Sequence, residues 1–386
     1  MMARSSTVLR FTGLKRRGLA NAWLPALLLS LVPLAPLSAE IRDTSTGPVE
    51  ITPVLRGLNE PWAVGFLPDG GFLVTLRGGS LLRVGADGTV AEVSGVPAVQ
   101  AGGQGGLLDV LVPRDFAQSG EIFLTFAKRQ GFREGTALAR ARLDGNSLSA
   151  VEVIWELTPG SAGGRHFGSR VVEGADGALY VTIGDRGERP SAQDLSNENG
   201  TVVRVNRDGS VPGDNPFLDT AGAAPAIYSY GHRNPQGAAI ASDGTLYVVE
   251  HGAAGGDEVN RVEAGLNYGW PVIAYGQHYS GGQIGVGTEA PGMEQPLHFW
   301  DPSIAPSGLA IYEGEMFPEW QGDLLVGALA FDLISRLDPD SGMTEVEQIQ
   351  TPETGRVRDI RVAPDGAVWF LSVNDSTLYR MARPGL

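Results

Sequence analysis

The chain has 386 residues, with 29 Lys and Arg against 44 Asp and Glu, which gives a formal net charge of −15. This acidic excess argues against a nucleic-acid partner, because phosphates would be repelled. Cysteine is absent. The sequence therefore excludes disulfides, thiolate metal sites and cysteine nucleophiles.

The first 39 residues differ from the rest, because they contain five basic residues and no Asp or Glu. An apolar run over residues 19–37 follows the basic stretch and leads into Ser38 and Ala39, a pattern typical of a secretory signal peptide. We predict cleavage before Glu40 and a periplasmic or secreted mature chain. The alternative is a retained membrane anchor, but the run barely spans ~30 Å of hydrocarbon and its prolines oppose a spanning helix. We expect no stable membrane insertion after cleavage.

A recurring sequence phrase predicts an all-β fold. The phrase is an apolar strand, a turn containing Asp-Gly, and a second strand rich in β-branched and aromatic residues. Glycine supplies the positive φ that tight hairpin turns require. Clear copies have their turns at residues 67–70, 175–177, 242–244 and 363–366.

Two looser copies bring the number of repeats to six, which predicts a six-bladed β-propeller over residues 40–386. The first strands begin near residues 63, 107, 170, 238, 309 and 360, and steps of roughly 45–70 residues leave room for functional loops. A two-sheet sandwich is the alternative, but it predicts no such repeat. Propeller loops gather around the central channel, where we expect a ligand site.

Five polar clusters between the hairpins are candidates for that site. Arginine side chains bind carboxylates bidentately, and glycine-rich loops let the backbone approach a ligand closely. The clusters therefore predict a pocket for a planar, polyanionic ligand. A structural interpretation stays open, in which the arginines form salt bridges between blades and the histidines are buried and hydrogen-bonded. The clusters are residues 102–106, 164–170, 231–237, 250–260 and 355–359.

These clusters resemble the soluble quinoprotein aldose sugar dehydrogenases of the glucose/sorbosone dehydrogenase family and, more distantly, soluble glucose dehydrogenase. The resemblance covers nearly the whole mature chain, and the order and spacing of its phrases make it specific. The phrases are Gly-Arg-His-Phe-Gly-Ser-Arg at 164–170, Gly-Asp-Arg-Gly at 184–187, Ala-Gln-Asp-Leu at 192–195, Tyr-Gly-His-Arg-Asn-Pro-Gln-Gly at 230–237, Asn-Tyr-Gly-Trp-Pro at 267–271 and Ile-Ala-Pro-Ser-Gly at 304–308.

The resemblance implies oxidation of an aldose at C1 to a lactone with pyrroloquinoline quinone (PQQ), followed by electron transfer to an external acceptor. His166 corresponds to the general base that takes the proton of the anomeric hydroxyl, and an imidazole suits that task near neutral pH. Arg233 would also stabilise charge on the quinone oxygens. His232 is interpreted as structural. The implied cofactor-binding residues are Gln104, Arg233, Asn234, Arg356 and Arg358.

The resemblance also implies Ca²⁺, a hard cation that prefers oxygen ligands. The main-chain carbonyls of Gly252 and Ala253 would share one ion with the quinone, although the family usually has proline at the position of Ala253. Glu258 and Tyr268 match the site of a second, structural calcium in related enzymes. The alternative for the acidic residues is a solvated loop.

Two departures from the family bear on cofactor affinity. The lysine that pairs with a cofactor carboxylate in the family falls on Ala330, and Lys128 is the sole lysine after residue 39. Where related enzymes usually carry His and Lys, this chain has Glu198 and Thr201. Two other functions therefore stay open. One is a cofactor-free binding module, and the other is a calcium-dependent propeller lactonase.

Overall fold

The computed structural model describes residues 39–385, so the predicted signal peptide lies outside the described residues except for its last position. The strands form six antiparallel sheets of four or five strands. The chain begins with β1 (Glu40–Thr44) and β2 (Gly47–Arg56), which belong to the last sheet. The prediction of a six-bladed β-propeller is confirmed.

The first five blades follow one another along the chain, and each is built from four consecutive strands. Blade 1 contains β3 (Pro61–Phe66), β4 (Phe72–Leu76), β5 (Leu81–Val84) and β6 (Val90–Glu92). Blade 2 contains β7 (Leu107–Leu111), β8 (Glu121–Gln130), β9 (Arg133–Asp144) and β10 (Ser147–Glu156). Blade 3 contains β11 (Val171–Glu173), β12 (Leu179–Ile183), β13 (Thr201–Val205) and β14 (Ile227–Tyr230).

The later blades keep the same plan. Blade 4 contains β15 (Pro235–Ile240), β16 (Leu246–Glu250), β17 (Asp257–Val262) and β18 (His298–Trp300). Blade 5 contains β19 (Pro306–Ile311), β20 (Leu324–Ala328), β21 (Ile334–Asp338) and β22 (Thr344–Ile349). Blade 6 contains β23 (Val357–Val362), β24 (Val368–Ser372) and β25 (Thr377–Ala382), and β2 and β1 complete it.

The ring closes through main-chain hydrogen bonds between the two ends of the chain. Strand β2 pairs antiparallel with β25, from Glu50 opposite Ala382 to Arg56 opposite Thr377. In addition, the first strand of every blade contacts the first strand of the next, and β23 contacts β3. These six inner strands surround the central channel.

The Asp-Gly turns of the repeat share one geometry. In the first copy, the Asp69 carboxylate accepts a hydrogen bond from the main-chain N–H of Gly71 at 2.9 Å, and Gly70 has φ 84°. A side chain at Gly70 would be strained, because only glycine adopts this left-handed region freely. The same Asp-to-main-chain bond recurs at Asp176, Asp243 and Asp365.

Helices are short and few in the described chain. An α-helix covers Phe116–Ser119, and 3₁₀-helices cover Arg189–Gln193, Pro318–Trp320 and Pro352–Thr354. None of the helices in residues 39–385 has the length and apolar character needed to cross a bilayer.

A group of four charges connects the inner strands of the ring; Asp109, Arg170 and Asp359 are buried, and Arg361 is partly exposed. Asp109 of blade 2 accepts hydrogen bonds from Arg170 and Arg361, each at 2.9 Å. Asp359 of blade 6 lies 3.1 Å from Arg170 and 3.0 Å from Arg361. Its carboxylate also accepts the main-chain N–H of Val64 in blade 1 at 3.0 Å. The two Asp and two Arg balance in charge and link the inner strands.

Replacing Asp109 tests the role of this network in stability. Asp109→Asn leaves two guanidinium groups with one carboxylate, and we expect the free energy of unfolding to fall by about 3–5 kcal/mol. Urea unfolding followed by circular dichroism measures the change. Asp340→Asn, at an exposed carboxylate in the β21–β22 turn, is the control and should change stability little. A loss below about 1 kcal/mol for Asp109→Asn would contradict this role.

Candidate active site

A cavity of about 270 Å³ lies where the first strands of the blades begin. Its volume is close to the lower end of the range for small-molecule sites, ~300 Å³. The wall is unusually rich in guanidinium and amide groups for an acidic protein. The polar residues that line it include Arg77, Gln104, Asn234, Gln236, His251, Arg356 and Arg358.

The arginines at this cavity differ in their partners: Arg77 pairs with Glu60, which also lines the cavity, whereas Arg356 and Arg358 bond to uncharged oxygens. Arg358 donates to the amide oxygen of Gln236 at 3.0 Å, and Arg356 donates to the main-chain oxygen of Leu329 at 3.0 Å. Within residues 39–385, neither these two nor Arg233 forms a salt bridge. Burial, together with the nearby charges of Arg356 and other arginines, lowers the pKa of Arg358 to about 9. The site therefore favours an anionic ligand.

His166 lies beside this cavity and is held by a carboxylate. Its Nδ1 is 2.6 Å from Oδ1 of Asp185, and Oδ2 of Asp185 accepts the indole N–H of Trp270 at 2.8 Å. Burial lowers the pKa of His166, and the positive charge of Arg233 adds to this, while Asp185 acts in the opposite direction. With Nδ1–H bonded to Asp185, the neutral ring presents Nε2 as a proton acceptor.

The backbone around His166 is fixed by two interlocked glycine-rich loops. The main-chain N–H of Gln104 donates to the oxygen of Gly164 at 2.9 Å, and the Gln104 amide oxygen accepts the N–H of His166 at 2.6 Å. A Cβ at Gly103 would lie 2.2 Å from the oxygen of Gly164. His166 itself has φ 52°, a strained conformation that the surrounding contacts must maintain.

Arg233 is buried beside His166 and is incompletely bonded. Its Nη1 donates to the main-chain oxygen of His251 at 3.1 Å, and its guanidinium lies 5.3 Å from the centre of the Trp270 ring. Its Nε is buried and has no hydrogen-bond partner in the described chain. An unpaired buried donor of this kind costs free energy unless a ligand satisfies it.

A second, much smaller cavity of about 20 Å³ lies behind Arg233 and is lined by Gly252, Glu258 and Tyr268, together with Glu250. The amide N–H₂ of Asn260 donates to both glutamates, at 3.1 Å each. Burial and the charge of Glu250 raise the pKa of Glu258 to about 8. The described residues contain no cluster of three or more acidic or histidine side chains arranged for a metal.

The other residues predicted to bind calcium are Tyr268, Ala253 and Gly252, and each has its own contacts. The Tyr268 hydroxyl donates to the main-chain oxygen of Arg261 at 2.6 Å, so that hydroxyl is already used. Ala253 is buried and lies in a tight turn that pairs it with Gly255. The N–H of Gly252 donates to Asp257 at 2.8 Å.

The structure thus brings most of the predicted site residues together. Four of the five predicted cofactor-binding residues line the larger cavity, and the fifth, Arg233, bonds to His251 in its wall. His166 adjoins the cavity through Gln104. Ala330 follows Leu329, which lines the cavity, so the position that carries lysine in the family lies next to the wall.

His232 is fully buried, as its structural interpretation requires. Its Nδ1 is 2.7 Å from Glu250 and its Nε2 is 2.9 Å from Ser229. Its ring stacks on Tyr268 at 4.6 Å. With both nitrogens bonded and no exposed face, His232 cannot meet a ligand in this conformation.

Sequence reasoning assigned no role to Asp185, Trp270 or His251. Asp185 follows the buried strand β12 in a Gly-Asp-Arg-Gly phrase, and an acidic residue at the end of a buried strand is a usable signal. Trp270 and His251 lie in blade 4 or its loops, and their proximity to His166 depends on packing of blade 4 against blade 3.

The model of the family described as Glucose / Sorbosone dehydrogenase matches residues 58–380. The aldose sugar dehydrogenase YliI of Escherichia coli is 41% identical over 355 residues, covering 90% of this chain and 95% of the relative. The quinoprotein glucose dehydrogenase B of Acinetobacter calcoaceticus is 29% identical over 402 residues, covering 82% of this chain and 84% of the relative.

Solved structures agree with the architecture. The apo form of the soluble aldose sugar dehydrogenase from Escherichia coli superimposes with a TM-score of 0.84 at 39% identity, covering 86% of this chain and 99% of that one. The PQQ-bound form of an aldose sugar dehydrogenase from Streptomyces coelicolor gives a TM-score of 0.72 at 27% identity, covering 90% and 99%.

The charges around His166 predict how its pKa responds to substitution. Asp185→Asn should lower the pKa of His166 further, because a carboxylate that favours the protonated ring is removed. Arg233→Gln should raise it, because a repelling positive charge is lost. NMR titration of the imidazole signals measures both, and His298 in β18 serves as the internal control. An increase in the His166 pKa in Asp185→Asn would contradict the proposed pairing.

Proposed function

The chain belongs to the glucose/sorbosone dehydrogenase family, and from this premise we propose that it oxidises aldose sugars at C1 to lactones with PQQ and Ca²⁺. The observation that carries the proposal is a set of three arginines, Arg233, Arg356 and Arg358, that lack carboxylate partners among the described residues and lie at a cavity beside a neutral, carboxylate-bound imidazole. A lactonase needs no cationic pocket of this kind.

The residues present fit a planar, carboxylate-bearing quinone. Arg356 and Arg358 have guanidinium groups available for its carboxylates, and such charge-assisted bonds are roughly twice as strong as neutral ones. Arg233 has a buried Nε without a partner. The oxygen of the Asn234 amide already accepts a bond from Gln236 at 3.1 Å, which leaves its N–H₂ group as a donor. Gln104 would contact the cofactor or substrate at the rim.

Bound PQQ would supply the acceptor for the hydride that leaves C1 of the sugar. His166 would take the proton of the anomeric hydroxyl at Nε2, so that the sugar loses one proton and one hydride and becomes a lactone. Asp185 would hold the imidazole in the correct tautomer and stabilise the imidazolium that forms. Arg233, adjacent to the same imidazole, would stabilise negative charge that develops near it.

Calcium is the second part of the proposal. The main-chain oxygens of Gly252 and Ala253 are hard ligands on a loop beside Arg233, and Ca²⁺ there would polarise the quinone. The small cavity with Glu250 and Glu258 supports a second, structural ion, because two acidic side chains that share one amide donor place hard oxygen ligands close together there. Tyr268 would contribute to it through its main-chain oxygen, since its hydroxyl is engaged elsewhere.

Location and electron acceptor complete the proposal. The composition of residues 1–39 supports export by the secretory route, with activity in the periplasm or outside the cell. We propose that electrons then pass to an external acceptor.

Titration of the calcium-loaded apoprotein with PQQ, followed by quinone absorbance, tests the function directly. We expect binding at micromolar or lower concentration, loss of that binding after EDTA treatment, and oxidation of aldoses with an artificial electron acceptor. No quinone binding would favour a cofactor-free binding module. Hydrolysis of lactones without quinone would favour a lactonase.

Arg358→Gln in the same titration tests the anion site. Removing one charge-assisted contact should weaken quinone binding by about 10- to 150-fold. Arg129→Gln is the matched control, because Arg129 is exposed on β8 and donates only to a main-chain oxygen. Equal affinity in the two variants would contradict the role of Arg358.

His166→Ala separates catalysis from cofactor binding. Loss of the general base should lower kcat by about 10²- to 10⁴-fold, while the affinity for the quinone stays within a few-fold of wild type. His298→Ala removes a half-buried histidine of β18 as the control. Unchanged turnover in His166→Ala would rule out this residue as the base.

A further inference from the structure

A short hairpin-like segment, residues 275–287, lies at the rim of the candidate active site. Gln277 exchanges main-chain hydrogen bonds with Ala254 at 3.0 and 3.2 Å. The segment turns back on itself, since the N–H of His278 donates to the oxygen of Gly282 at 3.0 Å. The rim segment is therefore fixed to the loop that carries Gly252 and Ala253.

The side chains of the rim segment connect to the groups around His166. His278 Nδ1 is 2.9 Å from Nη1 of Arg189, and the Arg189 guanidinium lies 5.1 Å from the centre of the Trp270 ring. Arg233 lies over the same ring at 5.3 Å. Trp270 in turn bonds to Asp185. The rim segment and the catalytic groups thus share one set of contacts.

Tyr279 occupies the tip of this segment and is 75% exposed. In the described chain its hydroxyl has one hydrogen-bond partner, Nη2 of Arg233, at 3.5 Å, the limit of a weak bond. Its ring stacks on no other aromatic ring of residues 39–385. A large ring is therefore held at the mouth of the site with about three-quarters of its surface exposed.

An exposed aromatic ring of this kind can stack on one face of a sugar ring. The C–H groups of a pyranose ring form apolar patches, while its hydroxyl groups point outward and need polar partners. An aromatic side chain offers a flat apolar surface at low entropic cost, and tyrosine adds a polar end. We propose that Tyr279, beside Arg233, forms the outer wall of the aldose subsite and stacks on the sugar.

Other exposed rings do not meet these conditions. Phe132 is fully exposed at the tip of the β8–β9 hairpin, and Phe331 is about half exposed in the β20–β21 turn. The side chain of neither residue has a recorded contact with Arg233 or His166 among the described residues. Of these three exposed rings, Tyr279 is the one whose side chain bonds directly to a proposed catalytic residue. This inference rests on the proposed function, since it names the substrate contact of that same site.

Steady-state kinetics of Tyr279→Ala and Tyr279→Phe in the quinone-loaded enzyme test the inference. Loss of the ring should raise KM for aldoses about 3- to 10-fold, with kcat within a few-fold of wild type. Tyr279→Phe keeps the ring and should retain a KM near that of wild type. The Kd for PQQ, measured by absorbance titration, should stay within about twofold in both variants.

Phe132→Ala is the matched control, because it removes an exposed aromatic ring from another hairpin and should leave every parameter unchanged. An unaltered KM in Tyr279→Ala overturns the inference, as does a Kd for PQQ that rises as much as in Arg358→Gln. Equal KM values for the Ala and Phe variants, both raised, would assign the effect to the hydroxyl and overturn stacking. A wild-type protein that binds PQQ but oxidises no aldose overturns the proposed function, and the subsite with it.

Discussion

The four-charge network of Asp109, Arg170, Asp359 and Arg361 is the constraint on which the rest of the structure depends. Its members come from inner strands or from the residue before one, and their side chains join blades 2, 3 and 6. A buried ion pair is stable only when the opposing charges are matched and well oriented. The carboxylates of Asp109 and Asp359 therefore both pair with the two arginines of the network. Arg358, next to Asp359 in sequence, receives no salt bridge from it and keeps its positive charge for the cavity.

This division of charge explains how an acidic protein can hold an anion. The chain carries more Asp and Glu than Lys and Arg, but among the described residues the cavity wall holds one carboxylate, Glu60, against Arg77, Arg356 and Arg358. Local charge, rather than net charge, governs binding at contact distance, because salt screens exposed charges beyond about 8–10 Å. Gathering guanidinium groups in a buried wall costs solvation and brings mutual repulsion, and burial together with that repulsion lowers the pKa of Arg358. A bound polyanion would relieve that repulsion.

Local features were predictable from the sequence, and long-range ones were not. The Asp-Gly turns depend on neighbouring residues, such as Asp69 and Gly71, so the six repeats and their inner strands could be placed correctly. Pairing of β2 with β25 joins segments more than 300 residues apart, and no local pattern encodes it. Asp185 is 19 residues from His166, and only packing of the loop after β12 brings the two together. The segment carrying Tyr279 lacks any periodic pattern, so its path over the site could not be derived.

The groups around His166 act on its basicity in opposite directions, and a ligand would change their balance. Burial and Arg233 lower the pKa of the imidazole, whereas Asp185 raises it. Any anion held by Arg233 would offset the positive charge of that guanidinium at His166. With the effect of Arg233 offset, the effect of Asp185 would be less opposed. The pKa of the imidazole would then rise, and the imidazole would become a stronger base. Burial and Arg233 would thus keep the histidine neutral before the anion binds, and the bound anion would allow it to accept a proton more readily afterwards, which couples occupancy of the cavity to the chemistry beside it.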